Sequence, residues 1–233
     1  MKKLNIAIIG LGNIGSYLYK YLNDNKKILT KKNNCLPIIK YVSAKNIRKN
    51  RGIKIKKSQW LNNYLDCTKL RDVDLIIELI GGSEGPAKKL VFSALRNKKH
   101  VVTANKALIA KYGDQLAKIA EKNKVNLEFE AAVCGGLPII RSLKEGLVAN
   151  KISRIYGILN GTSNYILSSM DKQNKSFNEV LLDAKKLGYA ESNPSADLNG
   201  DDVSSKLKIL SSLCFNSFLN NNIYVEGIKN IDK

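Results

Sequence analysis

Residues 4–15 read LNIAIIGLGNIG, an apolar run that passes straight into three glycines spaced G-x-G-x-x-G. A strand entering such a turn must change direction sharply, and Gly10 has the backbone freedom to do so. Gly12 leaves the backbone bare where a ligand would approach. Gly15 lets the next helix, read over SYLYKYLNDN, pack close on the strand. The N–H groups in the first turn of that helix lack intrahelical partners and favour an anion. Strand, glycine turn and helix together begin a βαβ unit, whose next strand lies parallel to the first.

The alternation continues. LPIIKYVS is a second strand, VDLIIELIGG a third that ends in two glycines, HVVTAN a fourth and VNLEFEAAV a fifth. Helical patterns over GPAKKLVFSALRNKK and ALIAKYGDQLAKIAEKNK separate them. This order predicts an α/β fold, a Rossmann-type, doubly wound and mostly parallel sheet over residues 1–130. The pattern then changes. Pro138 opens a helix toward Asn150, KISRIYGIL reads as a strand, and helices follow over SNYILSSM and SFNEVLLDAKKLG. Residues 131–233 are therefore expected to form a second, α+β unit. With 233 residues, 44% of them hydrophobic, the chain has enough apolar material for a sizeable core.

In that context the glycine turn predicts a dinucleotide with its pyrophosphate at the helix N-terminus. The expected contacts are Gly10, Gly12, Asn13, Ile14 and Gly15, with Gly82 and Ser83 after the third strand and Ala104 after the fourth. A site selective for NAD wants a carboxylate at the end of the second strand. This chain has YVSAKNIRKNR there, so Lys45 and Arg48 are read as partners for a 2′-phosphate, and NADPH is preferred over NADH.

A formal charge of +19 raises the possibility of nucleic acid. The lysines are dispersed, however, and no zinc-finger, aromatic RNA-binding or helix-turn-helix signature accompanies them, so nucleic acid is the lesser reading. No apolar run approaches the ~18 residues of a membrane helix, and the apolar patch after MKK is too short for a signal peptide. Cys35, Cys67, Cys134 and Cys214 are widely spaced, which fits reduced thiols in a cytoplasm. With His100 the single histidine, acid–base chemistry must fall to lysines and carboxylates.

DDVSSKLKIL supplies such a pair. On a helix, Val203, Leu207, Leu210 and Cys214 align, while Ser204, Ser205, Lys208, Ser211 and Ser212 face the other way. Asp202 and Lys206 lie on the apolar flank near Ile209 and Leu213, where charge is costly unless paired.

Four stretches, VVTANKALIA, EAAVCGGLPII, GILNGTSNYIL and LGYAESNPSADLNGDDVSSK, resemble homoserine dehydrogenase in order and spacing, and the likeness covers essentially the whole chain. The resemblance implies interconversion of L-aspartate 4-semialdehyde and L-homoserine with NADPH or NADH, on the route to threonine and methionine. It assigns proton transfer to Lys206, with Asp202 one turn before it. Glu191 takes the substrate amino group, Asp197 and Asp202 join that acidic lining, and Thr162 borders the substrate. Lys106 is shared between cofactor and substrate. Glu130, Val133, Gly135 and Leu137 correspond to positions that hold a monovalent cation such as sodium, mainly through backbone oxygens. A homodimer of the full-length form is also implied.

The chemistry agrees with these roles. Hydride addition to an aldehyde builds negative charge on oxygen, which a nearby cation or proton donor stabilises, so Lys106 and Lys206 are expected to converge on that oxygen. The flank bearing Asp202 and Lys206 is then expected to face a cleft between the units. The family pattern continues past YVEGIKNIDK, so the second unit is expected to be incomplete. A catalytically silent dinucleotide-binding subunit that needs another chain is the alternative reading.

Overall fold

The computed structural model describes residues 1–215 and 223–231. The chain divides into two compact units, Met1–Leu137 and Pro138–Lys233. The first contains a five-stranded, all-parallel sheet of β1 (Lys2–Ile9), β2 (Cys35–Ser43), β3 (Leu75–Glu78), β4 (His100–Thr103) and β5 (Leu127–Glu128), in the order β2-β1-β3-β4-β5. Helices cover parallel strands on both faces, so the strands themselves must be apolar throughout. Ile6 to Ile9 of β1 and Ile76 and Ile77 of β3 are buried accordingly. Pro37, which cannot donate to a ladder, sits on edge strand β2 where that costs least.

The helices of this unit are α1 (Asn13–Asp24), α2 (Lys26–Asn33), α3 (Pro86–Arg96) and α4 (Lys106–Asn123). In α3, Pro86 at the first helical position has a pre-set φ, and Ala87, Leu90, Val91, Ala94 and Leu95 form the stripe turned to the core. Tyr19 of α1 packs with Ile6, Ile8, Leu11, Val42 and Ile77. Its hydroxyl donates to Gln59 Oε1 at 3.1 Å or Lys54 O at 3.2 Å, which satisfies the polar end of a buried ring.

The second unit carries α5 (Ile139–Arg141), α6 (Gly161–Gln173), α7 (Phe177–Lys186), α8 (Ser195–Leu198) and α9 (Asp201–Phe215). Asn160 caps α6 by accepting from Ser163 N at 2.7 Å, and a Ser176–Glu179 capping box opens α7. Ile166, Met170, Val180, Ala184, Ala190 and Leu198 form its core.

Several expectations change. KISRIYGIL forms no strand, so the described part of the second unit is helical rather than α+β. Strands exist only as ladders, and this stretch has no ladder partner among the described residues; Tyr156 and Ile158 stand 84% and 76% exposed. The helix from Pro138 toward Asn150 ends early, as α5 widens into a π turn over Ser142–Gly146. Pairing of β5 stops after two residues because Phe129, at φ −145° and ψ 34°, leaves the extended region. The lysine-rich α2 was not expected, and it buries no residue. On α9 the buried positions are Asp202 and Ile209 on the flank, Leu210 on the apolar stripe and Ser211 on the face read as polar, while Val203 and Leu207 are only half-buried.

Candidate active site

Each glycine of the turn has a distinct reason to be glycine. Gly10 has φ +104°, and a Cβ there would lie 2.4 Å from Leu79 O. At Gly15 a Cβ would lie 2.0 Å from Gly10 O, so α1 touches the turn backbone to backbone. A Cβ on Gly12 would meet nothing within 4 Å, leaving space above the turn. The first turn of α1 has no acidic residue and Gly12 contributes no side-chain cap, so Asn13, Ile14 and Gly15 present their N–H groups there. This arrangement suits a phosphate.

Beyond β2 the chain returns to this turn through Arg51. Its Nε donates to Leu11 O at 2.9 Å, its other nitrogens to the carbonyls of Asn46, Ile47 and Lys49, and its guanidinium stacks 5.7 Å from the Trp60 ring centroid. A cavity of about 480 Å³ lies beside the turn, lined by Asn13, Ser16, Lys20, Lys49 and Arg51 among others. Lys45 and Arg48 are exposed in the adjoining loop and do not line it. Lys20, Lys49 and Arg51 are the basic side chains at the cavity. Lys49 and Arg51 belong to the basic stretch read after the second strand, while Lys20 comes from α1; which of these side chains reach the cavity was hidden because the loop 44–56 has no regular period.

After β3, residues 80–85 include Gly81, Gly82 and Gly85, all at positive φ, together with Ser83. Glu84 ties this loop to α4, accepting from Lys111 Nζ at 2.7 Å, from Tyr112 Oη and from Lys88 Nζ at 3.1 Å. Lys111 first, then Tyr112 and Lys88, hold its carboxyl down to about 2. After β4, Asn105 caps α4 through Leu108 N at 3.1 Å and donates from Nδ2 to Gly82 O at 2.7 Å. Ala104 and Lys106 flank Asn105, so the turns after β3 and β4 are hydrogen-bonded to one another.

In the second unit, Lys206 Nζ lies 2.6 Å from Asp202 Oδ2 and donates to Leu159 O at 2.7 Å. The side chains of Lys206 and Asp202 are 19% and 9% exposed, which makes this an inward-facing ion pair rather than a solvated i, i+4 pair. Asn160 Nδ2 donates to Asp202 Oδ2 at 3.0 Å and to Asp197 Oδ1 at 2.7 Å. Ser163 Oγ donates to Asp197 O at 3.1 Å. Thr162 Oγ1 donates to Tyr189 O at 2.7 Å, and the Tyr189 and Tyr165 rings stack with centroids 4.4 Å apart. The NGT turn therefore joins the GYAE segment through Thr162, and the acidic block beside Lys206 through Asn160. Glu191 is exposed, immediately after buried Ala190. Asn160 had no assigned role in sequence, although its place before an apolar helical run marks it as a cap.

The loop expected to hold a cation runs through the turn Glu130–Ala132, buried Val133, Cys134 at φ +51°, Gly135 and Leu137. Leu137 N donates to Cys134 O at 2.9 Å, closing a tight turn. Among the described residues no group of three or more His, Cys, Asp or Glu side chains is placed to hold a metal ion. No described helix is long and apolar enough to cross a membrane.

Comparison with known proteins agrees with both halves of this geometry. Residues 10–130 match the family model "Homoserine dehydrogenase, NAD binding domain", and residues 138–233 match the model "Homoserine dehydrogenase". A homoserine dehydrogenase of Neisseria gonorrhoeae is 41% identical over 233 residues, covering 100% of this chain and 53% of the relative. The crystal structure of a homoserine dehydrogenase from Thiobacillus denitrificans superposes with a TM-score of 0.89 at 39% identity, covering 100% of this chain and 54% of that one. A hyperthermophilic archaeal homoserine dehydrogenase in complex with NADPH gives a TM-score of 0.84 at 25% identity, over 98% of this chain and 75% of that one. The chain thus spans about half the length of the curated relatives it matches.

Proposed function

Because the chain belongs to the homoserine dehydrogenase family, we propose that it carries the nucleotide-binding and proton-transfer parts of an enzyme interconverting L-aspartate 4-semialdehyde and L-homoserine. When bound, the nicotinamide dinucleotide supplies or accepts the hydride. The protein's own residues do the remainder. The bare backbone at Gly12 and the first-turn N–H groups of α1 receive the pyrophosphate. Lys20, Lys49 and Arg51, with Lys45 and Arg48 nearby, form the basic surround that favours NADPH over NADH.

Lys206 delivers a proton to the substrate oxygen as charge develops on it. Asp202 holds the Lys206 ammonium in place and, with Asp197 and Glu191, offers negative charge to the substrate ammonium. Thr162 borders the same pocket. The backbone oxygens of Val133 and its neighbours in the loop from Glu130 to Leu137 would suit a monovalent cation such as sodium. The protein acts as a homodimer.

The observation that carries this reading is the inward-facing ion pair between Lys206 and Asp202, which Asn160 joins to Asp197. Its test is loss of reduced-nicotinamide absorbance when the chain is given NADPH and aspartate 4-semialdehyde. Lys206→Met should lower turnover by ~10²–10⁴-fold, the range for one general acid–base group. That variant takes the cation away from a nearly buried carboxylate, so about 1–3 kcal/mol of stability should also be lost, and folding must be followed alongside. Lys208→Met, outside the cluster, should be nearly silent. Normal turnover in folded Lys206→Met would refute the assignment. NADPH binding without any turnover would instead assign this chain a nucleotide-binding role that needs the rest of a longer protein.

A further inference from the structure

Glu78, the last residue of β3, is 0% exposed, and no cation is paired with it among the described residues. A carboxyl group inside a sheet is costly to bury, so its partners must account for it. They are three donors. Ile80 N and Gly81 N reach Oε1 at 2.7 and 3.0 Å, and Thr103 Oγ1 reaches Oε2 at 2.5 Å. Thr103 is the register partner of Glu78 across β3 and β4, and its Oγ1 also accepts from Asn105 N at 2.9 Å. Asn105 then returns to Gly82 O. The result is a closed ring of hydrogen bonds: Glu78 to the start of the glycine-rich loop after β3, Glu78 to Thr103, Thr103 to Asn105, and Asn105 back to the same loop.

The sheet order says which part of a ligand this ring serves. β2 lies on one side of β1 and its glycine turn, while β3 and β4 lie on the other. In a doubly wound sheet a dinucleotide lies across the strand ends at this switch point. With the basic loop after β2 taking the adenosine end, the turns after β3 and β4 face the nicotinamide end. We propose that Glu78 is a positioning residue that locks these two turns together and so sets the nicotinamide half of the site, including the placement of Lys106. This inference rests on the dinucleotide reading given above. Three glycines at positive φ would otherwise leave the loop free to sample many conformations, and ordering it on binding would weaken affinity.

The test compares NADPH with adenosine 2′,5′-bisphosphate, a probe that lacks the nicotinamide half. Glu78→Gln keeps side-chain volume and an acceptor for the two amides, but its NH₂ faces Thr103 Oγ1, leaving the buried threonine proton without an acceptor. Kd for NADPH should rise about tenfold while that for the bisphosphate stays within about twofold, since a hydrogen bond to a charged group is worth at least the 1.4 kcal/mol that a factor of ten represents. Thr103→Val breaks the same link from the other side and should give the same pattern. Equal losses for both ligands, no loss for either, or failure of both variants to fold would reduce Glu78 to a core residue and overturn the inference. An unsubstituted chain that binds neither ligand would overturn the dinucleotide reading together with the inference. Binding of both ligands with an unchanged ratio in the variants would overturn the inference alone.

Discussion

Gly15→Ala and Gly12→Ala add the same methyl group three residues apart, and the structure expects opposite consequences. At Gly15 the new Cβ would lie 2.0 Å from Gly10 O and 3.0 Å from Gly10 C, where ordinary contacts begin at 3.4 Å. Helix α1 must withdraw from the turn by more than an ångström, and overpacking of this kind costs about 1–3 kcal/mol. At roughly 2–4 °C per kcal/mol, the melting temperature of the first unit should fall by about 2–12 °C. At Gly12 no heavy atom lies within 4 Å and φ is −75°, so alanine meets neither a clash nor backbone strain. Only the weaker N-cap preference of alanine is lost, about 1 kcal/mol or less. The methyl would nonetheless stand where a pyrophosphate must approach, so NADPH affinity should fall by about tenfold or more, equivalent to 1.4 kcal/mol. Thermal melts followed by circular dichroism, with fluorescence titration of NADPH, separate the two effects. Gly12→Ala binding NADPH as tightly as the unsubstituted chain would refute the reading of the turn. An unchanged melting temperature in Gly15→Ala would refute the close packing.

Asn160→Ala removes the cap on α6 and the amide between Asp197 and Asp202, so chemical denaturation should show a loss of about 1–3 kcal/mol in the second unit with NADPH affinity unchanged. Arg51→Ala should weaken NADPH more than NADH, and isothermal titration at two salt concentrations should show the difference shrinking as ions screen the basic loop. Burial pushes the Cys67 thiol up to about 12, so peptide mapping after iodoacetamide treatment near neutral pH should find it the slowest of the four cysteines to react. The sign for stability follows from the same raised value: the contribution of protonated Cys67 is complete below its ordinary 9.0 and is lost as pH rises toward 12.

What can be read from residues alone here is what the local backbone decides. Gly10 and Gly15 are forced by turn geometry and close approach within a few positions, and the cap at Asn160 and the box at Ser176 are equally local. The parallel sheet is legible because helices follow β1, β3 and β4 and the central strands are apolar runs, although only short 3-10 turns join β2 to β3. KISRIYGIL looks like a strand by the same signals and is not one, since a ladder depends on a partner elsewhere that no periodicity reports. Arg51 reaching Leu11, Glu78 reaching Thr103, and Asn160 joining two aspartates are long-range meetings, at separations of 40, 25, and 37 and 42 residues. Propensity cannot see such pairs. A lone acid inside LIIELI was still a signal, because an apolar strand has no cheap place for a carboxyl group.

The pairing of β1 on both of its edges has a consequence for how the first unit is made. Each pairing in this sheet is parallel, so no hairpin can nucleate it, and β1 meets β3 only across 69 residues, as Asn5 N bonding to Asp74 Oδ2 records. During synthesis at roughly 5–20 residues per second, β1 leaves the ribosome ahead of β3 and waits several seconds or more for the neighbour that covers its second edge. In that interval the apolar stretch IAII keeps one edge uncovered, open to pairing with other chains. The lysines at positions 2 and 3, exposed at its start, place like charge on the edge for as long as it stays open.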